Sequence, residues 1–97
     1  MRDTVPERVQ ISDSVLYHAL DGGIVLLNMT SEQYYGLDDI GKRMWELLLE
    51  LGNVTEVVER LAAEFDVDRA RLQADLAVLV DKLMKAGLLS PASDRGK

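Results

Sequence analysis

Across residues 33–40 (Gln33-Tyr34-Tyr35-Gly36-Leu37-Asp38-Asp39-Ile40) the hydrophobic period changes from two to 3.6 with no loop between. A strand there must run straight into the first turn of a helix. Upstream the pattern is β-like. Val9-Gln10-Ile11 alternates, and residues 15–20 (Val-Leu-Tyr-His-Ala-Leu) are apolar with a polar interruption. Asp21-Gly22-Gly23 is a hairpin turn signal, because glycine accepts positive φ. Residues 24–29 (Ile-Val-Leu-Leu-Asn-Met) form the most apolar run, which suits a central strand covered at least in part on both faces. After the turn Thr30-Ser31-Glu32 comes a third strand, Gln33 to Leu37. Three strands with short links make an antiparallel meander.

Downstream the pattern is helical. Asp38 or Asp39 suits an N-cap, because a carboxylate there accepts from the orphan N–H groups of the first turn. Ile40, Met44, Trp45, Leu47, Leu48 and Leu51 then recur at helical spacing, and Gly52-Asn53 reads as a C-cap pair. Thr55 is the expected N-cap of a second helix with a buried stripe of Val57, Val58, Leu61 and Phe65. Asp66-Val67-Asp68 breaks it, and Asp68 can cap a third helix over residues 69–86, ended by Gly87. Leu88-Leu89 then folds back. The fold class is therefore α+β: a three-stranded antiparallel sheet followed by three helices. Residues 9–89 form the domain, between an expected flexible arm (1–8) and a polar tail (90–97).

Composition limits what this domain can do. Ninety-seven residues with 47% apolar content suffice for one core. There is no cysteine, so disulfides and thiolate metal sites are excluded. The net charge is −6, and neither half of the chain is basic, which disfavours nucleic acid and anionic membrane surfaces. No apolar run approaches the ~18 residues of a membrane span, and the start lacks a signal-peptide pattern. A soluble, cytoplasmic protein is expected. His18 is the lone histidine, and no second catalytic group is evident to work with it. Asp38-Asp39 is explained by capping, and no loop offers the several oxygens a hard cation needs. No catalysis, cofactor or metal is expected.

The third helix is too apolar for one packed face. At 100° per residue, Leu72, Leu76, Leu79 and Leu83 form a central stripe. Val80, Met84 and Ala77 widen it on one flank, with Ala86 and Asp75 on the other. One reading makes the whole stripe core. The other leaves one flank as the wall of a groove beside the third strand, whose open edge would present unpaired N–H and C=O groups. A peptide could then add as a strand and press alternate side chains onto the helix. Tyr34 and Tyr35 point to opposite faces, so one is expected buried and the other exposed or at a partner. Gly36 inside a strand marks a bulge or a close backbone approach. Trp45 reads as the core anchor of the first helix. Lys82, Lys85, Arg69 and Arg71 read as a solvated face.

The ordered set Val-Leu-Leu-Asn, Tyr-Tyr-Gly-Leu-Asp-Asp-Ile-Gly-Lys-Arg-Met-Trp-Glu-Leu-Leu, Thr55-Glu56-Val57-Val58, Asp66-Val67-Asp68, Asp75-Leu76 and Gly87-Leu88-Leu89 resembles the PqqD-like peptide chaperones, or RiPP precursor recognition elements. The likeness spans residues 9–89 and is strongest to the stand-alone members of lasso-peptide pathways. The resemblance implies winged-helix-like connectivity. It also implies a leader segment of a precursor peptide bound as an added strand beside the third strand, against the third helix. By carry-over, Gln33, Tyr34, Tyr35, Gly36 and Leu37 would form the pairing edge. Leu72, Asp75, Leu76, Leu79, Val80 and Leu83 would be candidates for the helical wall. The implied partners are the leader, a transglutaminase-like leader peptidase and a separate cyclase. Two alternatives stand beside this: a PqqD-type chaperone of another peptide-modifying pathway, and a winged-helix DNA-binding regulator. The second is weakened by Asp68, Asp75 and Asp81 on the third helix, where phosphate contacts would want bases.

Overall fold

A computed structural model describes residues 6–92. In chain order the elements are β1 (Val9–Ile11), β2 (Val15–Leu20), β3 (Gly23–Asn28), β4 (Gln33–Asp38), α1 (Asp39–Leu51), α2 (Val54–Glu64), α3 (Arg69–Lys85) and β5 (Leu89–Pro91). The expected meander is β2-β3-β4, antiparallel throughout. Leu20 pairs with Gly23 across a two-residue turn in which Gly22 takes φ 86°, as a glycine can. Gly23 has a different reason to be glycine. A Cβ there would lie 2.1 Å from the Leu37 carbonyl oxygen, so β3 and β4 could not pair at this register with any other residue.

Register sorts the side chains by face. On β3, Ile24, Leu26 and Asn28 are buried, while Val25 and Leu27 are half-buried on the outer face. Leu37 and Tyr35 lie opposite Ile24 and Leu26 and pack on the core; Tyr34 lies on the outer face, 70% exposed. The core continues through Met44, Trp45, Leu47 and Leu48 of α1, then Val57, Val58 and Leu61 of α2, then Leu72, Leu76, Val80 and Leu83 of α3. Trp45 is the largest fully buried side chain, and Tyr17 meets it edge-on with ring centroids 5.7 Å apart. Arg43 clips α1 to α2 by two hydrogen bonds to Glu64, at 2.8 and 2.6 Å. That bonding holds the Glu64 carboxyl below its ordinary range.

Several boundaries differ from the sequence reading. Asp38 is the N-cap of α1, its Oδ1 accepting from Gly41 N–H at 2.9 Å. Gly52 alone ends α1, at φ 65°. Asn53 belongs to the next helix: its Oδ1 accepts from Glu56 N–H at 2.8 Å, so it displaces Thr55 as the cap of α2. An N-cap in extended conformation reaches the third helical N–H, and from Asn53 that is Glu56. Asp68 precedes α3 by position but makes no side-chain cap bond. Phe65 falls one residue past the end of α2 and is half-buried.

A second sheet was not expected. β1 pairs antiparallel with β5, closing the domain end to end. Leu88-Leu89 does fold back, but it carries Ser90 and Pro91 into a strand, and Ala92 N–H donates to the Arg8 carbonyl at 2.9 Å. Likewise the arm is tied from residue 7, where the Glu7 carbonyl accepts from Val54 N–H at 2.8 Å. Residues 1–5 of the expected arm and 93–97 of the expected tail lie outside the described residues.

The burial pattern predicts that Trp45→Ala costs about 3–5 kcal/mol of stability, through an unfilled cavity. Tyr34→Ala should stay within about 0.5 kcal/mol, as a substitution at an exposed site. Urea unfolding followed by circular dichroism checks both; equal losses would contradict the assignment of faces.

Candidate functional site

Within the sheet, β4 pairs with β3 alone, so its other edge is open among the described residues. Which backbone groups face that edge follows from the ladder. Met29 N–H donates to the Ser14 carbonyl at 2.8 Å, in register with the β2–β3 pairing. Antiparallel hydrogen bonding alternates along a strand, so the odd-numbered residues of β3 face β2 and the even ones face β4. Ile24, Leu26 and Asn28 therefore exchange bonds with Leu37, Tyr35 and Gln33, their register partners. The N–H and C=O groups of Tyr34 and Gly36 point to the open edge.

Beside this edge is a groove of about 430 Å³. One side is the strand-to-helix junction: Gly36, Leu37, Asp38, Ile40, Gly41 and Met44. The other is α3, through Asp75, Leu79 and Lys82. The junction turns in place because Asp38 caps α1 while still paired with Gly23. Its lining mixes apolar residues, among them the exposed Ile40 and the buried Met44, with the charged Asp38, Asp75 and Lys82.

The expected site residues divide into two groups. Gly36, Leu37, Asp75 and Leu79 come together at the groove. Gln33, Tyr34 and Tyr35 continue the same strand, with the Tyr35 hydroxyl donating to Gln33 Oε1 at 2.9 Å. Leu72, Leu76, Val80 and Leu83 are core, none more than 3% exposed, and they do not form a groove wall. The physical reason is the rotation of α3. The buried arc is centred on the Val80 side of the expected stripe, which moves Leu79 to the margin and turns the Asp75 flank toward β4. The sequence left that flank undecided.

Asp38, Ile40, Gly41, Met44 and Lys82 were not among the expected site residues. The i, i+4 spacing of Ile40 and Met44 at the start of α1 is the sequence signal for them, and it reads equally as a core stripe. His18 is exposed on β2, and among the described residues no group of three His, Cys, Asp or Glu side chains could hold a metal. No helix among the described residues is long and apolar enough to cross a membrane.

The structure of TbiB1 in complex with the TbiA(beta) leader peptide aligns with a TM-score of 0.80 at 36% identity, over 88% of this chain and 99% of that one. A lasso peptide synthetase B1 complexed with the leader peptide aligns with a TM-score of 0.77 at 27% identity, over 87% and 99%. No curated protein sequence matches the chain. The family described as coenzyme PQQ synthesis protein D matches residues 23–89, well over half the chain. The chain belongs to the PqqD family.

Proposed function

We propose that this protein is a non-catalytic chaperone for the leader segment of a ribosomally made precursor peptide of the lasso type. The leader adds as a strand to β4, and its alternate side chains enter the groove against α3. It is then presented to a leader peptidase of the same pathway, and a separate cyclase closes the freed core. The observation that carries this reading is the open edge of β4 facing Asp75, Leu79 and Lys82 of α3 across a groove that Leu37, Ile40 and Met44 also line. Similarity to two leader-bound proteins supports it.

The energetics fit a carrier. Tyr34 and Gly36 offer about four main-chain bonds, each contributing roughly 1 kcal/mol net. One or two apolar anchors over Leu37, Ile40, Met44 and Leu79 add about 1.5–3 kcal/mol each. Against these stand association entropy and the ordering of a flexible peptide. These gains come to about 5.5–10 kcal/mol before those costs, so the leader is held weakly enough to be released. The alternative of DNA binding has less support. The Arg69 guanidinium is engaged by both oxygens of Glu59, Lys85 pairs with Asp81, and the chain is acidic.

Fluorescence polarisation with a fluorescein-labelled cognate leader, and with the TbiA(beta) leader as a second probe, tests the proposal. Saturable binding below about 100 µM is expected; no binding of either peptide at that concentration would sink it. Gly36→Pro removes an N–H that faces the open edge and leaves the β3 ladder intact. It should fold and bind about fivefold or more weakly, by the loss of one bond. Tyr35→Pro strikes the β3 ladder instead and should lose stability first. Leu79→Asp should keep the helical circular dichroism spectrum and lose about tenfold or more in affinity, whereas Leu76→Asp should unfold the domain. A folded Leu79→Asp protein with parental affinity would remove α3 from the site.

A further inference from the structure

The two walls of the groove are held by different neighbours. β4 is positioned by β3 and α1, while α3 packs on α2 and β5. The shared core joins the two walls through non-directional packing, and a directional tie from the sheet to α3 would fix the width of the groove at its end. Asn28, at the end of β3, does so. Its side chain is 6% exposed and bonded on both sides. Oδ1 accepts from Thr30 N–H at 2.9 Å and Ser31 N–H at 3.2 Å, which fixes the β3–β4 turn. Nδ2 donates to the Ala86 carbonyl at 2.8 Å, just past the end of α3. The amide orientation follows from chemistry, since two N–H donors on one side require the carbonyl oxygen there.

The receiving end is shaped for this bond. Gly87 N–H donates to the Met84 carbonyl at 3.1 Å and Leu88 N–H to that of Leu83 at 2.9 Å, a Schellman ending with Gly87 at φ 78°. The Ala86 carbonyl remains as one of the unpaired acceptors at a helix end, and Asn28 fills it. A Cβ on residue 87 would lie 2.9 Å from Asn28 Nδ2, so glycine clears the path for the amide as well as taking the turn.

We infer that Asn28 is a positioning residue for peptide binding: its amide clamps the β3–β4 turn to the C-terminal end of α3 and thereby sets the width of the groove. The inference rests on the leader-binding reading, since the groove matters only if a peptide enters it. Asn28 itself lies at the end where β4 begins and α3 finishes, away from Gly36 and Leu79, so its effect on a bound peptide is exerted through the walls.

The test separates the clamp from mere stability. Asn28→Asp keeps an acceptor for Thr30 and Ser31 and removes the donor to Ala86. Val58→Ala, a core truncation on α2, serves as a control of matched thermal stability. Because the chain has no cysteine, spin labels placed at Tyr34→Cys and Val78→Cys, both exposed, report the distance between the walls by pulsed electron spin resonance. In Asn28→Asp this distance distribution should broaden or shift, and affinity for the labelled leader, measured without spin labels, should fall about fivefold. Val58→Ala should change neither. If Asn28→Asp does not fold, Gly87→Ala displaces the same amide from the other side and should give the same two changes. Parental affinity, or an unaltered distance distribution in a folded variant, would overturn the inference. A parent protein that binds no leader would instead remove the leader reading, and the distance measurement alone would then decide whether Asn28 is a clamp.

Discussion

A strand can offer its edge to another chain only if the rest of the fold holds it without using that edge. This constraint organises the domain. β4 is fixed along one side by β3 and at its end by Asp38, which pairs with Gly23 and caps α1 in the same position. Gly23 permits the close approach of the two strands. Leu37 and Tyr35 anchor the strand from below by packing on the core. The outward-facing backbone of Tyr34 and Gly36 is left without a strand partner among the described residues. An edge so presented would lose little conformational entropy on pairing, which suits the proposed leader contact.

The third helix solves the complementary problem. It must be stable without help from β4, yet present apolar surface toward it. Burial of Leu72, Leu76, Val80 and Leu83 gives the helix its own anchorage on α2 and β5. Leu79 is then free to line the groove at small cost to the core. The two tasks are divided by angle around one helix, so substitutions a few residues apart should differ in kind: unfolding at Leu76, loss of ligand at Leu79.

Much of this was legible in the sequence, for identifiable reasons. The change of period across residues 33–40 located the β4–α1 junction to within a residue, because a carboxylate at a strand end has few better uses than a helix cap. Asp21-Gly22-Gly23 located the first hairpin. Local chemistry could not reveal β1 pairing with β5, since two three-residue strands at opposite ends of the chain carry no signal until the helices bring them together. It pointed to Thr55 as the cap of α2 and to Asn53 as part of the α1 ending, because both residue types cap well and asparagine also suits a helix end. Nor could it set the rotation of α3: Leu79 and Val80 are both apolar, and which one faces inward depends on where α2 and β5 lie. The resemblance to a known family named the groove, and the structure supplied its geometry.

The central claim is that a peptide pairs with the outer edge of β4. Residue-resolved amide hydrogen exchange, with and without saturating leader peptide, tests it most directly. In the free protein the amides of Tyr35 and Leu37, bonded to β3, should already be protected, and those of Tyr34 and Gly36 should exchange freely. On adding leader, Tyr34 and Gly36 should become protected together. Protection unchanged at these two residues while the peptide is bound would contradict the account and place the peptide elsewhere.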